Sequence, residues 1–284
     1  MHLPLYAAGD GSEREGALTG NRLRRTWDSR AVLGAWCWIP APAVVEHLVW
    51  CGFDFILFDC QHGEYGVADL EPLLRVTTNT EVTPVVRVPT NDYYAIGHAL
   101  DAGAEVIVVP MVETREDAER AAAACRFPPT GTRSYAGTRS TRVLGTDAAE
   151  VNREVACLAM VETATGLANA ADIAATPGID GIFIGPSDLG LTLGLTPGPP
   201  PFAPEVERAI DDVVAVCAAA GVVPGLAGGA EYAARGLRFL TVSGDKILLL
   251  GGRATLDAAR RTVDKSSSAE PAPPESPASA APLR

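Results

Sequence analysis

The segment Gly181-Ile-Phe-Ile-Gly-Pro-Ser-Asp-Leu189 joins an apolar run to a turn and an acid. Its apolar residues predict a buried strand, and Gly185-Pro186 predicts a tight turn at the carboxyl end of that strand. Asp188 follows this turn, just as Glu162 follows the apolar run Leu158–Val161 one strand earlier. Two acids after consecutive buried strands could hold one metal ion between them, or each could cap the helix that follows.

Short apolar runs alternate with stretches of helical spacing along most of the chain. The runs that predict strands are Val32–Ile39, Phe53–Phe58, Pro84–Val88, Glu105–Val109, Ala156–Val161, Gly181–Ile184, Val222–Leu226 and Phe239–Val242. The helical stretches include Val67–Thr77, Tyr93–Leu100, Arg115–Cys125, Gly166–Ala175, Pro204–Ala220 and Asp245–Thr262. Strands that are apolar on both faces indicate a parallel sheet covered by helices. This pattern favours a single-domain α/β fold, a (β/α)8 TIM barrel, over an open doubly wound sheet.

The two ends of the chain differ from the barrel region, which we assign to residues 30–265. Residues 1–29 show no sustained periodicity, and we expect an irregular lead-in there. Residues 266–284 consist almost wholly of Ser, Ala, Pro and Glu. Such a composition buries too little apolar surface to offset the entropy of ordering, so we expect a disordered tail.

Composition excludes several classes of partner. The net charge of −12 argues against nucleic acid, because phosphate binding needs a basic face. The apolar runs are far shorter than the roughly 18 residues of a membrane span, and the first 20 residues do not form a secretory signal. We therefore expect a cytoplasmic protein. Neither a G-x-G-x-x-G motif after the first strand nor a P-loop occurs, so we expect no nucleotide cofactor.

The cysteines and lysines narrow the chemistry further. The six cysteines are scattered without a C-x-x-C pair, which indicates reduced core residues. Only Lys246 and Lys265 are lysines, and Lys265 lies at the edge of the tail. A mechanism through a Schiff base therefore has one candidate residue, Lys246.

A barrel places its chemistry where strands end and βα-loops begin. Four polar residues occupy such positions after predicted strands 2, 3, 5 and 6: His62, Arg87, Glu162 and Asp188. The two carboxylates are ligands that suit Mg2+ or Mn2+, with Co2+ as a further candidate. His62 suits a general base, and Arg87 suits stabilisation of an oxygen that gains negative charge. The alternatives are a structural histidine at a strand end and an ion pair between Arg87 and a helix-cap acid.

The segment 126–142 repeats Gly-Thr-Arg-Ser twice and carries four arginines: Arg126, Arg133, Arg139 and Arg142. A glycine-rich loop of this kind is typical of a lid over an anionic substrate. An intersubunit contact is an equal alternative.

In this combination and order, the chain resembles the HpcH/HpaI group of metal-dependent 2-keto-acid aldolases over residues 30–260. The resembling segments are Phe53–His62, Val85–Pro89, Leu100–Val112, Arg126–Arg133, Met160–Thr163 and Gly181–Leu189. The resemblance implies a (β/α)8 barrel that forms a homo-oligomer, usually a hexamer. It also implies a divalent metal that binds pyruvate through its carboxylate and keto oxygen.

The resemblance assigns roles to individual residues. Glu162 and Asp188 match the metal ligands of the family. His62 matches its base, and Arg87 matches the residue that stabilises the transition state. The backbone N–H groups of Ser187 and Asp188 match the site for the pyruvate carboxylate.

Asp101 matches an acid that raises the basicity of the histidine. Barrel geometry places Asp101, which precedes strand 4, near the end opposite to His62, unless the helix 3 region is irregular or a neighbouring subunit contributes it. Two residues depart from the family pattern. Met160 stands where a polar Gln is frequent, and Gln61 stands where many members have Glu. Both differences bear on the substrate more than on the metal chemistry.

The leading hypothesis is a lyase that reversibly cleaves a 4-hydroxy-2-oxo acid to pyruvate and an aldehyde through a metal-stabilised enolate. The runner-up keeps the enolate but decarboxylates oxaloacetate or transfers the enolate to a specialised acceptor, as relatives of macrophomate synthase do. A non-catalytic binding protein is a third class, which the full set of four polar residues disfavours.

Overall fold

The computed structural model describes residues 21–135, 137–242 and 244–267. Eight parallel strands in chain order form a closed barrel, in which the first strand pairs with the last. The strands are β1 Val32–Cys37, β2 Phe55–Asp59, β3 Thr83–Arg87, β4 Val106–Val109, β5 Ala156–Val161, β6 Gly181–Ile184, β7 Val223–Leu226 and β8 Phe239–Val242. The predicted (β/α)8 barrel is therefore confirmed.

Helices precede, connect and follow the strands. They are α1 Arg22–Trp27, α2 Pro42–Trp50, α3 Leu70–Val76, α4 Tyr93–Asp101, α5 Arg115–Cys125, α6 Thr138–Val143, α7 Ala148–Glu154, α8 Ala164–Ala168, α9 Ala170–Ala174, α10 Pro186–Thr192, α11 Pro204–Ala220 and α12 Lys246–Ser267. Short 3-10 helices span Val67–Asp69 and Ala230–Arg235. Of the described residues, those from 21 to 245 form one compact unit, and α12 belongs to a second unit that begins at Lys246. No helix in the described ranges is long and apolar enough to cross a bilayer.

The structure differs from the predicted irregular lead-in at α1. Leu23 and Trp27 of this helix are buried, and the Trp27 ring packs edge-on against Phe239 with 6.2 Å between the centroids. Phe239 begins β8, so α1 packs at the amino-terminal end of the barrel. Six residues are too few to show helical periodicity in the sequence. The remaining lead-in, residues 1–20, lies outside the described residues.

The predicted tail also lies largely outside the described residues. Its first two residues, Ser266 and Ser267, form the end of α12, and residues 268–284 are not described. The expectation of disorder there stays a prediction.

Aromatic rings fill the interior of the barrel. The centroids of Phe55 and Phe239 lie 4.2 Å apart, and those of Phe183 and Phe239 lie 5.6 Å apart. Phe55 pairs in register with Gly34 of the adjacent strand, and its ring occupies the space of a missing side chain. A packed interior leaves room for chemistry only at the ends of the strands.

We predict that Gly34→Ala destabilises the fold by about 1–3 kcal/mol or more, because its Cβ would lie 2.0 Å from the buried Phe55 ring. Gly97→Ala is the matched control. It places a Cβ in open space within α4 and should stabilise the protein by about 0.5–1 kcal/mol. Urea unfolding measures both changes. Equal midpoints for the two variants would contradict the close approach at Gly34.

Candidate active site

Arg87 is buried at the end of β3 and forms a bidentate ion pair with Asp59 at the end of β2. Its Nε donates to Oδ1 at 2.9 Å, and its Nη2 donates to Oδ2 at 2.6 Å. The two residues are register partners of adjacent parallel strands, so the strand pairing itself brings them together. Arg87 therefore forms an ion pair, but its partner ends a strand and does not cap a helix, as the alternative for Arg87 had it.

Asp59 organises the groups around it. Its carboxylate also accepts hydrogen bonds from the Trp36 indole N–H at 3.0 Å and from the backbone N–H groups of Gln61 and His62. Burial alone would raise the pKa of Asp59, but the hydrogen bonds and charge of Arg87, together with the Trp36 donor, hold that pKa below its usual value. Sequence reasoning missed this residue, although its position at a strand end beside His62 was a usable signal.

The contacts of Arg87 leave one part of the guanidinium for another partner. Asp59 takes Nε and Nη2, and the Trp36 ring covers the group with 4.7 Å between its centroid and Cζ. Nη1 lies 3.7 Å from the sulfur of Met160, which is a weak acceptor. The Nη1 N–H groups are therefore the part of Arg87 best suited to bind an oxygen of a substrate.

Glu162 follows β5 and carries two oxygens with different surroundings. Oε1 accepts a hydrogen bond from the Met111 backbone N–H at 2.9 Å. Oε2 is buried and has no hydrogen-bond partner among the residues that the structure describes. Burial raises the pKa of Glu162 to about 7, the Met111 N–H opposes this shift, and the negative charge of Asp188 adds to it.

Gly185, the residue after β6, makes room for this carboxylate. A Cβ at this position would lie 2.6 Å from Cε of Met160 and 2.7 Å from Oε2 of Glu162. Only a glycine therefore allows the end of β6 to approach Glu162 so closely.

These residues fit a divalent cation. An unpartnered buried carboxylate oxygen is costly, and a neighbouring acid increases the cost, whereas a cation would satisfy both. Within residues 21–135, 137–242 and 244–267, no group of three or more His, Cys, Asp or Glu side chains is arranged to hold a metal. The protein would therefore offer an ion the two carboxylates of Glu162 and Asp188 and leave other positions to substrate and water.

Ser187 and Asp188 lie in the first turn of α10, directly after Pro186. The backbone N–H of Leu189 is bonded to the Gly185 carbonyl, which leaves the two preceding N–H groups at the open end of the helix. Asp188 is half-buried, and Ser187 is exposed. Binding of a carboxylate by these N–H groups stays a prediction.

The imidazole of His62 is exposed in the loop after β2. It makes no hydrogen bond or ion pair with the part of the chain that the structure describes, and its backbone N–H bonds to Asp59. Asp101, the last residue of α4, pairs with Arg133 at 2.9 Å. Since α4 runs into β4, Asp101 lies towards the amino-terminal end of the barrel, away from the loop that carries His62. Its predicted action on His62 stays a prediction.

Three arginines of segment 126–142 pair with acids or carbonyl groups of the protein itself. Arg126 pairs with Asp180, which precedes β6, and Arg139 donates to the Ala102 carbonyl at the end of α4. A segment that leads into a parallel strand belongs to the amino-terminal side of the barrel. For Arg126, Arg133 and Arg139 the lid interpretation is therefore wrong, and the intersubunit alternative stays a prediction.

Comparisons with known proteins find relatives that match most of the chain. The model of the HpcH/HpaI aldolase/citrate lyase family matches residues 33–246. A 2-dehydro-3,6-dideoxy-6-sulfogluconate aldolase of Pseudomonas putida is 35% identical over 228 residues, which are 78% of this chain and 89% of the relative. A hydroxypyruvate/pyruvate aldolase of Sagittula stellata is 40% identical over 197 residues, 68% and 77% of the two chains.

A solved structure is similar to the barrel as well. An HpcH/HpaI aldolase/citrate lyase family protein from Burkholderia cenocepacia matches with a TM-score of 0.77 at 33% identity, over 85% of this chain and 99% of that one. The resemblance found in the motifs is confirmed.

We predict that breaking the buried ion pair lowers the free energy of unfolding far more than breaking an exposed ion pair does. Asp59→Asn leaves the Arg87 charge buried without its counter-ion and should destabilise the protein by about 3 kcal/mol or more. Asp54→Asn is the control, because its partner Arg30 is exposed, and it should cost about 1 kcal/mol or less. Denaturant unfolding compares the two. Similar losses would contradict the central role of Asp59.

We also predict that Glu162 makes the metal-free protein less stable as pH rises. Its folded-state pKa of about 7 exceeds the usual 4.5, so the folded state binds the additional proton between these values. Glu162→Gln removes this penalty, so its free energy of unfolding should exceed that of wild type by about 3 kcal/mol at pH 8 but hardly at pH 4.5. Unfolding across this range in chelator measures the difference. Parallel stability curves would show that Glu162 carries no such shift.

Proposed function

Because the chain belongs to the HpcH/HpaI aldolase/citrate lyase family and is a carbon–carbon lyase, we propose that it uses a divalent metal in the reversible aldol cleavage of a 4-hydroxy-2-oxo acid. The products are pyruvate and an aldehyde. The observation that carries the proposal is the buried, unpartnered oxygen of Glu162 beside Asp188. The names of the aldolase relatives support pyruvate as one product.

Glu162 and Asp188 would hold the ion, and Mg2+ or Mn2+ suits their oxygen donors, with Co2+ as a further candidate. When bound, the ion would polarise the 2-oxo group of the substrate. The backbone N–H groups of Ser187 and Asp188 would bind the carboxylate of the 2-oxo acid. They lie in the first turn of α10, where N–H groups lack partners within the helix.

Arg87 would stabilise the charge that develops during cleavage. As the C3–C4 bond breaks, its electron pair moves towards C2, and the 2-oxo oxygen gains negative charge. The Nη1 N–H groups can donate to that oxygen, because Asp59 holds the rest of the guanidinium in place. The Trp36 ring covers one face of the guanidinium and would keep water from that face.

His62 would move the protons. The neutral imidazole would accept the proton of the 4-hydroxyl group as the aldehyde forms, and it would return a proton to C3 to give pyruvate. Its exposure and its position beside Asp59 support this role, since it can reach a substrate without first breaking a bond to the protein. We expect the loss of this group in His62→Ala to reduce kcat at least about 100-fold.

Assembly and location remain part of the proposal. We infer a homo-oligomer, a hexamer by family resemblance, acting in the cytoplasm on a 2-keto acid and an aldehyde. Light scattering on the full chain measures the mass of the assembly directly.

The decisive experiment follows pyruvate released from a 4-hydroxy-2-oxo acid by the full-length chain with Mg2+ or Mn2+, then with chelator. We expect chelator and Glu162→Ala each to abolish most activity, because each removes the ion from the site. Glu71→Ala, an exposed acid paired with Arg75, is the control and should keep full activity. Full activity after chelation or in Glu162→Ala would overturn the proposal.

A second arm supplies oxaloacetate in place of the hydroxy acid. If pyruvate appears from oxaloacetate while no aldehyde is released from any hydroxy acid, the enzyme is a decarboxylase and the aldolase assignment fails.

A further inference from the structure

Met111 has a backbone conformation that its side chain disfavours. Its φ is +55°, in the left-handed region that residues with a Cβ rarely adopt. Half of the side chain is exposed, so burial of Met111 does not account for the conformation. Strained residues of this kind concentrate at functional sites, where the surrounding structure holds them in place.

The backbone N–H of Met111 shows what the conformation accomplishes. It donates to Oε1 of Glu162 at 2.9 Å, across the mouth between β4 and β5. The next N–H, that of Val112, donates to the Met160 carbonyl at 3.2 Å and ties the loop to β5. The turn at Met111 thus directs its N–H towards the Glu162 carboxylate, while the N–H of Val112 still bonds to β5.

This hydrogen bond makes the two carboxylate oxygens of Glu162 unequal. Oε1 is occupied by Met111, whereas Oε2 is buried and unpartnered. Gly185 lies against Oε2, where even a Cβ would approach to 2.7 Å. The carboxylate is therefore fixed from both sides, with its free oxygen on the side of β6, the strand that Asp188 follows.

We propose that Met111 is a positioning residue, whose left-handed backbone fixes the Glu162 carboxylate so that Oε2 alone binds the cation. This inference rests on the proposed metal site of Glu162 and Asp188. It concerns the backbone of Met111 and not its thioether. A residue that keeps φ positive without strain should preserve metal binding, and one that opposes it should weaken binding.

Three variants of the full chain separate these effects. Met111→Gly accepts a positive φ freely and retains the N–H. Met111→Val opposes a positive φ because its side chain is β-branched. Asn79→Val is the matched control, since Asn79 is the other residue with a side chain and a positive φ (+63°) in the described ranges and lies in the loop before β3.

Calorimetry gives the dissociation constant for Mn2+, and thermal unfolding in chelator gives stability. We expect Met111→Val to raise the dissociation constant about 10- to 100-fold, the range for losing a group that orients a metal ligand. Met111→Gly and Asn79→Val should bind Mn2+ as wild type does. Saturating Mn2+ should restore most of the kcat of Met111→Val.

The inference is overturned if Met111→Val binds Mn2+ as tightly as wild type. It is also overturned if Met111→Gly weakens binding as much as Met111→Val does, which would assign the effect to the thioether, or if Asn79→Val weakens it equally. Should Met111→Val not fold, Met111→Ala replaces it. We expect Met111→Ala to bind Mn2+ more weakly than wild type and the glycine variant do, but not to lose binding entirely. An affinity equal to that of wild type would again overturn the inference. Failure of wild type to bind Mn2+ would instead refute the proposed function.

Discussion

The buried ion pair between Asp59 and Arg87 is the interaction on which the mouth of the barrel depends. Adjacent parallel strands end at these two residues, so their register places one carboxylate opposite one guanidinium. Burying either charge without the other would cost several kcal/mol of stability, roughly, because neither could be solvated by water there. Once paired, Asp59 also holds the Trp36 indole and the first N–H groups of the loop that bears His62. The pair thus fixes the Arg87 guanidinium, proposed to stabilise charge, and the backbone at His62, whose imidazole is proposed to move protons.

The interior below this pair explains why the polar groups gather at the mouth. Phe55, Phe183 and Phe239 fill the barrel axis, and Gly34 admits the Phe55 ring where a side chain would collide with it. A core packed in this way stabilises the fold through burial but offers no polar partner. Every charged group that enters the barrel must therefore find its partner at the strand ends.

Much of this fold could be predicted from the sequence where local signals were strong. The helices Arg115–Cys125 and Pro204–Ala220 match their predicted bounds, since a capping box at Thr114 begins the first and Gly221, at φ +70°, ends the second. Helix α1 was missed because one turn and a half shows no period.

The strand-end rule also located Arg87 and Glu162 correctly. The ion pair between Asp59 and Arg87 could not be predicted, because it depends on the register of two strands, which the sequence alone does not specify. For segment 126–142, the lid alternative overlooked the order of elements, because a segment between a helix and the following strand lies at the amino-terminal end of the barrel. The role of Met111 could not be predicted, because a methionine gives no sign in the sequence that its backbone is left-handed.

The distribution of charge at the carboxyl ends of the strands determines that the two carboxylates need a proton or a cation. Arg87 is the protein's cation there, and its two strongest hydrogen bonds go to Asp59. Glu162 lies within the field of the negative Asp188, and burial together with this repulsion raises the pKa of Glu162 to about 7, although the charge of Arg87 acts to lower it. A carboxylate in that position either binds a proton or binds a cation. Because Met111 already donates to Oε1, the oxygen that would take the proton or the cation is Oε2, which is buried and accepts no hydrogen bond from the described part of the chain.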